Sequence, residues 1–444
     1  MRYLLFCTLV FLAACQAPTP PVNTITANIT GAEADAKLTV KGPGYVEEFE
    51  LKDGVLEDTL QIDQAGIYTF AINRNRLQSY VEPGQDVRFA GDLNDLASNA
   101  SFEAPHDKAW TYFKKKKELS GEHLSLGKLY QLEPDTFLQK VMAGVDTLNA
   151  FITGADIPKA LAAIEKEGVE MTKKRFVYLY PRYANKALVD LPAGFQDPMA
   201  GLNLLDEAKY LVNPYYKNLV GTHFSFELSK DTTGKYEDVF MKKIAELPAG
   251  NIRNKLLYND LQYLMGPNER LDEFLAFFKQ YSTDEEDIAK MEEKHSALQV
   301  LLKGNVSPSF DYENYKGGNS TLADYKGKYV YIDVWATWCG PCRREIPSLK
   351  EKEAQYHDAN VEFVSISIDE QKAYDKWRKM VEDKELGGSQ LIADNAWQSD
   401  FVQNYKINGI PRFILVDPEG KIVSADAPRP SSDDFDKVFA ELDL

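Results

Sequence analysis

Three regimes of hydrophobic patterning divide the chain. Between residues 24 and 92 lie short runs, ITANITG, KLTVKG, YVEEFEL, GVLEDTLQI, GIYTFAI and QDVRFAGDL, with Gly, Asp or Asn between them. Several alternate apolar and polar positions, as half-buried strands do. This predicts a small β sandwich over residues 24–103, with VEPGQ at 81–85 as a turn within it. From about residue 104 to 302 the period becomes helical. Leu271, Phe274, Leu275 and Phe278 form one stripe, and Ile288, Met291, His295, Leu298 and Leu302 another. His295 on such a stripe is expected to be a satisfied core histidine, not a ligand. Pro134, Pro158, Pro181, Pro192, Pro214 and Pro248 punctuate this helical middle domain, 104–302. After KGNVSP the pattern changes again. Buried-type strands are predicted at 329–335 and 361–368, helices at 339–356, 371–384, 397–405 and 432–442, and a hairpin at 412–416 and 421–423. Strands alternating with helices over 303–444 predict a mixed sheet covered on both faces. The expected architecture is multi-domain: a small all-β N-terminal domain, an α-helical middle domain and a C-terminal α/β domain.

Charge and the N-terminus narrow the setting. The net charge is −17, from 51 basic and 68 acidic residues, and the basic run at 114–117 is short. Nucleic acid is therefore not an expected partner, because phosphate binding needs clustered cations. The first residues combine one positive charge in MRY, an apolar stretch at 4–12 and small residues at LAAC, 12–15. This is a targeting segment. LAAC resembles the bacterial lipobox, which would make 1–14 a lipoprotein signal peptide and Cys15 the lipidated first residue of the mature chain. An ordinary secretory signal is the plainer reading. Residues 15–23, rich in Pro and Thr, read as the lipidated tether. Lipid on Cys15 would hold the protein to a membrane of the bacterial cell envelope, facing the periplasm.

Cysteine usage then becomes informative. Of four cysteines, Cys7 leaves with the signal and Cys15 is acylated in this reading, so the mature chain keeps Cys339 and Cys342. One close pair does not make a disulfide-stapled scaffold. A zinc site needs further ligands, and the five histidines show no ligand spacing. No metal or cofactor is expected, and a redox pair remains. Cys-Gly-Pro-Cys stands where a strand gives way to a helix, so Cys339 meets unpaired backbone N–H groups and the positive end of the dipole, which favour its thiolate. Pro341 in the first helical turn costs no hydrogen bond. Cys339 is the expected exposed nucleophile, and Cys342, one turn in, the shielded sulfur that resolves a mixed disulfide.

WCGPC, residues 338–342, resembles the thioredoxin active site. Pro347 matches the proline that kinks the family's active-site helix, with Gly340 and Pro341 at that helix's start. Ile410-Pro411 before RFILV matches the cis-proline loop that receives substrate backbone. Asp333, six residues before Cys339, matches the buried aspartate that exchanges a proton with the resolving cysteine. Burial in the sheet should raise its pKa and suit it to general-base work on Cys342. The long segment between Asp369 and Ile392 resembles the TlpA/ResA branch of exported, membrane-tethered thiol–disulfide oxidoreductases. The β domain resembles those that precede thioredoxin-like domains in exported Bacteroidetes proteins. The resemblance implies a thioredoxin-like fold for 303–444, a redox disulfide Cys339–Cys342, Trp338 as a substrate-touching shield, and exported disulfide proteins as substrates. The Gly-Pro dipeptide resembles the family's reducing members, and a reductase or isomerase would draw electrons from a membrane donor. Arg412 stands where cytochrome-maturation members often carry an acid, which speaks against a dedicated role there. Two alternatives compete: a thiol peroxidase, and a membrane-tethered binding or assembly module whose redox pair is secondary.

Overall fold

A computed structural model describes residues 23–33 and 36–444. The signal peptide, Cys7, the lipid site Cys15 and all of the tether except Asn23 lie outside the described residues. The chain divides into two compact units, Met1–Thr233 and Gly234–Leu444. That boundary divides the helical stretch read as 104–302, so that its last four long helices belong to the unit carrying the cysteines.

The first unit begins with two four-stranded sheets. One has the order β4-β1-β7-β8 and the other β3-β2-β5-β6. The strands are β1 Asn23–Thr30, β2 Lys37–Gly42, β3 Tyr45–Glu50, β4 Val55–Leu60, β5 Gly66–Ile72, β6 Asn75–Val81, β7 Val87–Asp92 and β8 Ser101–Phe102. Alternation drives them together: Ile25, Ala27 and Ile29 of β1 are buried, as are Leu38 and Val40 of β2, in one shared core. The turn at 82–85 is held by Asn23, whose amide donates to the Glu82 and Gln85 carbonyls and whose oxygen accepts from Gly84 N–H. Strand β6 escaped the sequence pattern. Its Asn75, Arg76, Gln78 and Ser79 are polar, yet full antiparallel pairing with β5 makes it a strand. The long helices α1 Asp107–His123, α2 Pro134–Gly154, α3 Lys159–Tyr183 and α4 Pro214–Lys230 follow. Phe113, Phe137, Val141 and Tyr180 form their core together with Ile67 and Tyr80 of the sheet. Glu165 is buried there as an acceptor for Tyr112 and Tyr215, each at 2.6 Å, and for Lys116. A buried carboxylate so partnered is structural.

The second unit opens with α5 Tyr236–Glu246, α6 Asn251–Leu264, α7 Leu271–Tyr281 and α8 Glu285–Gln299. Leu271, Phe274 and Phe278 are buried as their spacing requires. His295 is satisfied by Asp272, 2.7 Å away. A seven-stranded sheet follows, in the order β10-β9-β13-β12-β11-β14-β15. Its strands are β9 Asp311–Asn314, β10 Asn319–Thr321, β11 Tyr329–Trp335, β12 Val361–Ser367, β13 Ser389–Ile392, β14 Arg412–Val416 and β15 Ile422–Ser424. β11 runs parallel to β12 and antiparallel to β14, which explains its nearly continuous apolar run. The helices α9 Gly340–Gln355, α10 Tyr374–Asp383 and α11 Asp433–Ala440 belong to the same domain. Tyr331, Leu349, Phe363, Phe413, Phe435 and Phe439 form one apolar cluster between the sheet and α9 and α11. Short β9, β10 and β13 carry too few residues to announce themselves by period. Among the described residues no helix is long and apolar enough to cross a membrane.

Ile332, wholly buried at the middle of β11, gives a direct test of this core. Ile332→Ala should destabilise the cysteine-bearing unit by about 2–5 kcal/mol. Urea unfolding followed by a signal from that unit should show a lower midpoint with an unchanged slope.

Candidate active site

Strand β11 delivers Trp335 to the sheet's end, and residues 336–338 turn the chain into α9. Asp369, buried just beyond β12, secures that turn. Its carboxylate accepts from Thr337 N–H, Thr337 Oγ1 and Ser367 Oγ, each at 2.8 Å. Cys339 N–H closes the loop on Ala336 O at 3.0 Å. Cys339 is the N-cap of α9: its sulfur accepts from Cys342 N–H at 3.1 Å. One of the helix's unpaired donors therefore points at sulfur, where it favours a thiolate once the pair is reduced. The two cysteines are joined, S–S 1.97 Å and Cα–Cα 5.3 Å.

The remaining residues singled out in the sequence lie as follows. Pro341 occupies the first turn of α9, and Pro347 stands inside the helix. A Cβ on Gly340 would meet only the Arg344 guanidinium, at 3.8 Å. Packing therefore does not demand glycine there. The Ile410–Pro411 bond is cis, and the Ile410 carbonyl oxygen lies 3.8 Å from Cys339 Sγ. This corrects one expectation. Cys339 is not open to solvent but is 4 % exposed, the same as Cys342, because the cis-proline loop stands against it. Trp338 is 52 % exposed, with its ring 6.4 Å from that of Trp397. Arg412 pairs with Asp426 at 2.9 Å.

Asp333 lies beneath the disulfide, in register with Ser365 of β12 and Phe413 of β14. It lines a cavity of about 10 Å3 with Cys342, Trp335, Glu353, Lys350 and Gln390. Burial first, then the charges of Glu345 and Glu353, push its pKa up to about 8, against a hydrogen bond from Ser365. Glu353 is pushed up to about 7 by burial, with Lys350 opposing and Glu362 adding to the rise. Glu345 is buried and accepts from Ser431 Oγ at 3.0 Å and Ser431 N–H at 3.2 Å.

Asp369, Glu345 and Glu353 were not found from the sequence. For the two glutamates a signal existed: residues 342, 345, 349 and 353 follow the i, i+3, i+7, i+11 spacing of one helix face. For Asp369 the only sign was its place at the end of an apolar strand.

A cis-proline loop, a strand-to-helix dithiol and a buried carboxylate on a mixed sheet define a thioredoxin-like redox domain. Residues 304–425 match the AhpC/TSA family. The chain is 30% identical over 124 residues to the thiol-disulfide oxidoreductase ResA of Bacillus subtilis (strain 168), a match covering 28% of this chain and 66% of that protein. It is 30% identical over 123 residues to ResA of Geobacillus thermodenitrificans, covering 28% and 68%. A solution structure of a thiol:disulfide interchange protein from Bacteroides sp. is 31% identical, with 33% of this chain and 93% of that chain covered and a TM-score of 0.30. The chain spans about two thirds of the length of the curated relatives it matches. It belongs to the TlpA/ResA-like thiol–disulfide oxidoreductases. Both cysteines among the described residues are in the disulfide, which leaves none there as a separate peroxidatic thiol.

The Asp333 carboxyl predicts a pH dependence of stability. Its folded pKa, about 8, lies above the roughly 3.9 of an unfolded aspartate. The oxidised native state thus holds a proton that the unfolded state releases. Stability contributed by neutral Asp333 is full below pH ~4 and is lost as pH rises toward about 8. Glu353 adds a similar loss through about 7. Asp333→Asn should flatten the decline and exceed wild type at pH 9 by a few kcal/mol, at ~1.4 kcal/mol per pH unit. Denaturant melts from pH 4 to 9 measure it, and parallel curves for the two proteins would contradict it.

Proposed function

We propose that this protein reduces or isomerises disulfides of exported proteins through the Cys339–Cys342 couple. The observation that carries this is Cys339 at the N-cap of α9, with Cys342 N–H on its sulfur and Ile410-Pro411 against it. In the forward direction the Cys339 thiolate attacks a substrate disulfide, forming a mixed disulfide and expelling one substrate thiolate. Cys342 gives its proton to Asp333 and attacks Cys339 Sγ. The Cys339–Cys342 bond forms, the mixed disulfide breaks, and the second substrate thiolate leaves. Two electrons pass to substrate, so a donor must return them. A membrane partner fits an envelope protein held by lipid on Cys15. Ile410 and Pro411 would pair with substrate backbone, and Trp338, the most exposed aromatic residue at the site, would cover the mixed disulfide.

One observation favours the second reading, a tethered binding module. An open groove of about 780 Å3 lies on the sheet that contains β2, β5 and β6, lined by Thr39, Lys41, Thr69, Asn73 and Arg76. Its lining contains no cysteine.

Three measurements test the proposal. Insulin reduction should be catalysed by the wild type and abolished by Cys339→Ser; equal activity of the two would favour the binding reading. The reduction potential should fall at the thioredoxin end of the scale, about −270 mV, and a value near about −120 mV would make the protein an oxidant. Cys15→Ser should move the protein from the membrane fraction of its host to the soluble fraction, and an unchanged distribution would remove the lipid anchor from the account.

A further inference from the structure

Resolution of the mixed disulfide leaves a proton on Asp333, whose side chain is covered by the sheet and by α9. Glu353, three turns beyond Cys342 on α9, is half-buried and lines the same cavity as Asp333 and Cys342. The loop before β13 is shaped around its carboxylate. A Cβ at Gly387 would lie 2.2 Å from Glu353 Oε2. One at Gly388 would lie 3.2 Å from Oε1 and 2.4 Å from the Phe363 carbonyl oxygen, at a φ of +60°. Two consecutive glycines thus make room for one half-buried acid. The cavity holds about one water. The Trp335 indole N–H and the Gln390 amide oxygen, from two residues of its lining, are buried without protein partners. They offer such a water a donor and an acceptor beside the two carboxyls.

We propose that Glu353 is the second proton carrier of the site, taking through a cavity water the proton that Asp333 receives from Cys342 and releasing it to solvent. This rests on the oxidoreductase reading above. The order of transfer is Cys342 thiol to Asp333, Asp333 to water, water to Glu353, and Glu353 to bulk. The electron pair stays on Cys342 sulfur and enters the new S–S bond. Glu353 acts on the sulfurs only through Asp333. The groups facing it suit a proton exchanger. Lys350 approaches from its own helix and Glu362 from β12, and Asp333 lies across the cavity on β11. Glu362 is itself engaged by Lys328 at 3.3 Å and Ser389 Oγ at 3.2 Å, and Lys350 donates to the Lys384 carbonyl at 3.0 Å. No cation neutralises Glu353 by a direct ion pair among the described residues. The two acids bind a proton with pKa values within about a unit of each other, about 8 and about 7, which keeps transfer between them nearly level.

The test uses the full-length protein and a peptide disulfide, with mixed-disulfide resolution followed in single turnovers from pH 6 to 9. Glu353→Gln should slow resolution about tenfold or more around pH 8. It should also change the shape of the pH profile while leaving the first attack by Cys339 at its wild-type rate. Glu353→Ala should be slow in the same way and be restored by imidazole in a concentration-dependent manner, whereas wild type should ignore the buffer. A superimposable profile for Glu353→Gln, or a slow Glu353→Ala that imidazole does not rescue, overturns the proposal. Should near-UV circular dichroism show that the Glu353 variants do not fold, Gly387→Ala decides. It keeps the charge and displaces the carboxylate, so slowed resolution supports the relay and an unchanged rate overturns it. A wild type unable to reduce the peptide removes the oxidoreductase reading and the relay together. An active wild type with an indifferent Glu353→Gln removes the relay alone.

Discussion

The pleat of β11 is the constraint on which the site depends. In a strand with neighbours on both sides, alternate side chains must go to opposite faces. Tyr331, Asp333 and Trp335 therefore share the face that α9 covers, while Val330, Ile332 and Val334 fill the other. Tyr331 is buried against Phe413, Phe435 and Phe439, and Trp335 is buried beside Cys342. Asp333 is held between two large aromatic residues and cannot leave without a register shift that would turn all of them over. The aromatic packing thus maintains a desolvated carboxyl beneath the disulfide. The same packing lifts its proton affinity into the range where thiols also titrate.

The second constraint is the loop between β11 and α9, which must turn a parallel strand into a helix within four residues. Asp369 achieves this by gathering three donors from Thr337 and Ser367. A buried carboxylate with three short hydrogen bonds is fully satisfied and holds the Cys339 backbone in the extended N-cap conformation. The two buried aspartates thus stand in opposite electrostatic settings. Asp369 accepts several hydrogen bonds. Asp333 is raised mainly by burial and by like charges.

What could be read in the sequence follows from which interactions are local. The Cys-Gly-Pro-Cys turn, Pro347 and the strand carrying Asp333 are contiguous patterns, and they were legible. The helix stripe through Leu271, Phe274 and Phe278 was legible for the same reason. Strand β6 was not, since its polar residues become a strand only by pairing with β5. The contact of Cys339 with Ile410 joins residues 71 apart, and no local pattern could report how closed the sulfur is. Glu345 and Glu353 were hidden differently. Charged residues on an amphipathic helix are ordinarily solvated, but on α9 Glu345 is buried against Ser431 and Glu353 is half-buried against Gly387 and Gly388. The long segment after Asp369, read as a family insertion, supplies those two glycines.

The electrostatics bear on the direction of electron flow. Asp333, Glu345 and Glu353 place three acids around Cys342, two of them with raised proton affinity. Burial and negative charge near a thiol both oppose its ionisation. Strong oxidants work the other way, stabilising the reduced form as a thiolate and so weakening the disulfide. Here the backbone N–H at the helix start favours a thiolate at Cys339, while the acids disfavour a second charge at Cys342. The reduced pair therefore carries one stabilised charge at most. The uncharged disulfide is not disfavoured against a doubly stabilised dithiolate. A couple balanced in this way would hold its disulfide firmly and give electrons readily, which is the physical ground for the reducing direction proposed above.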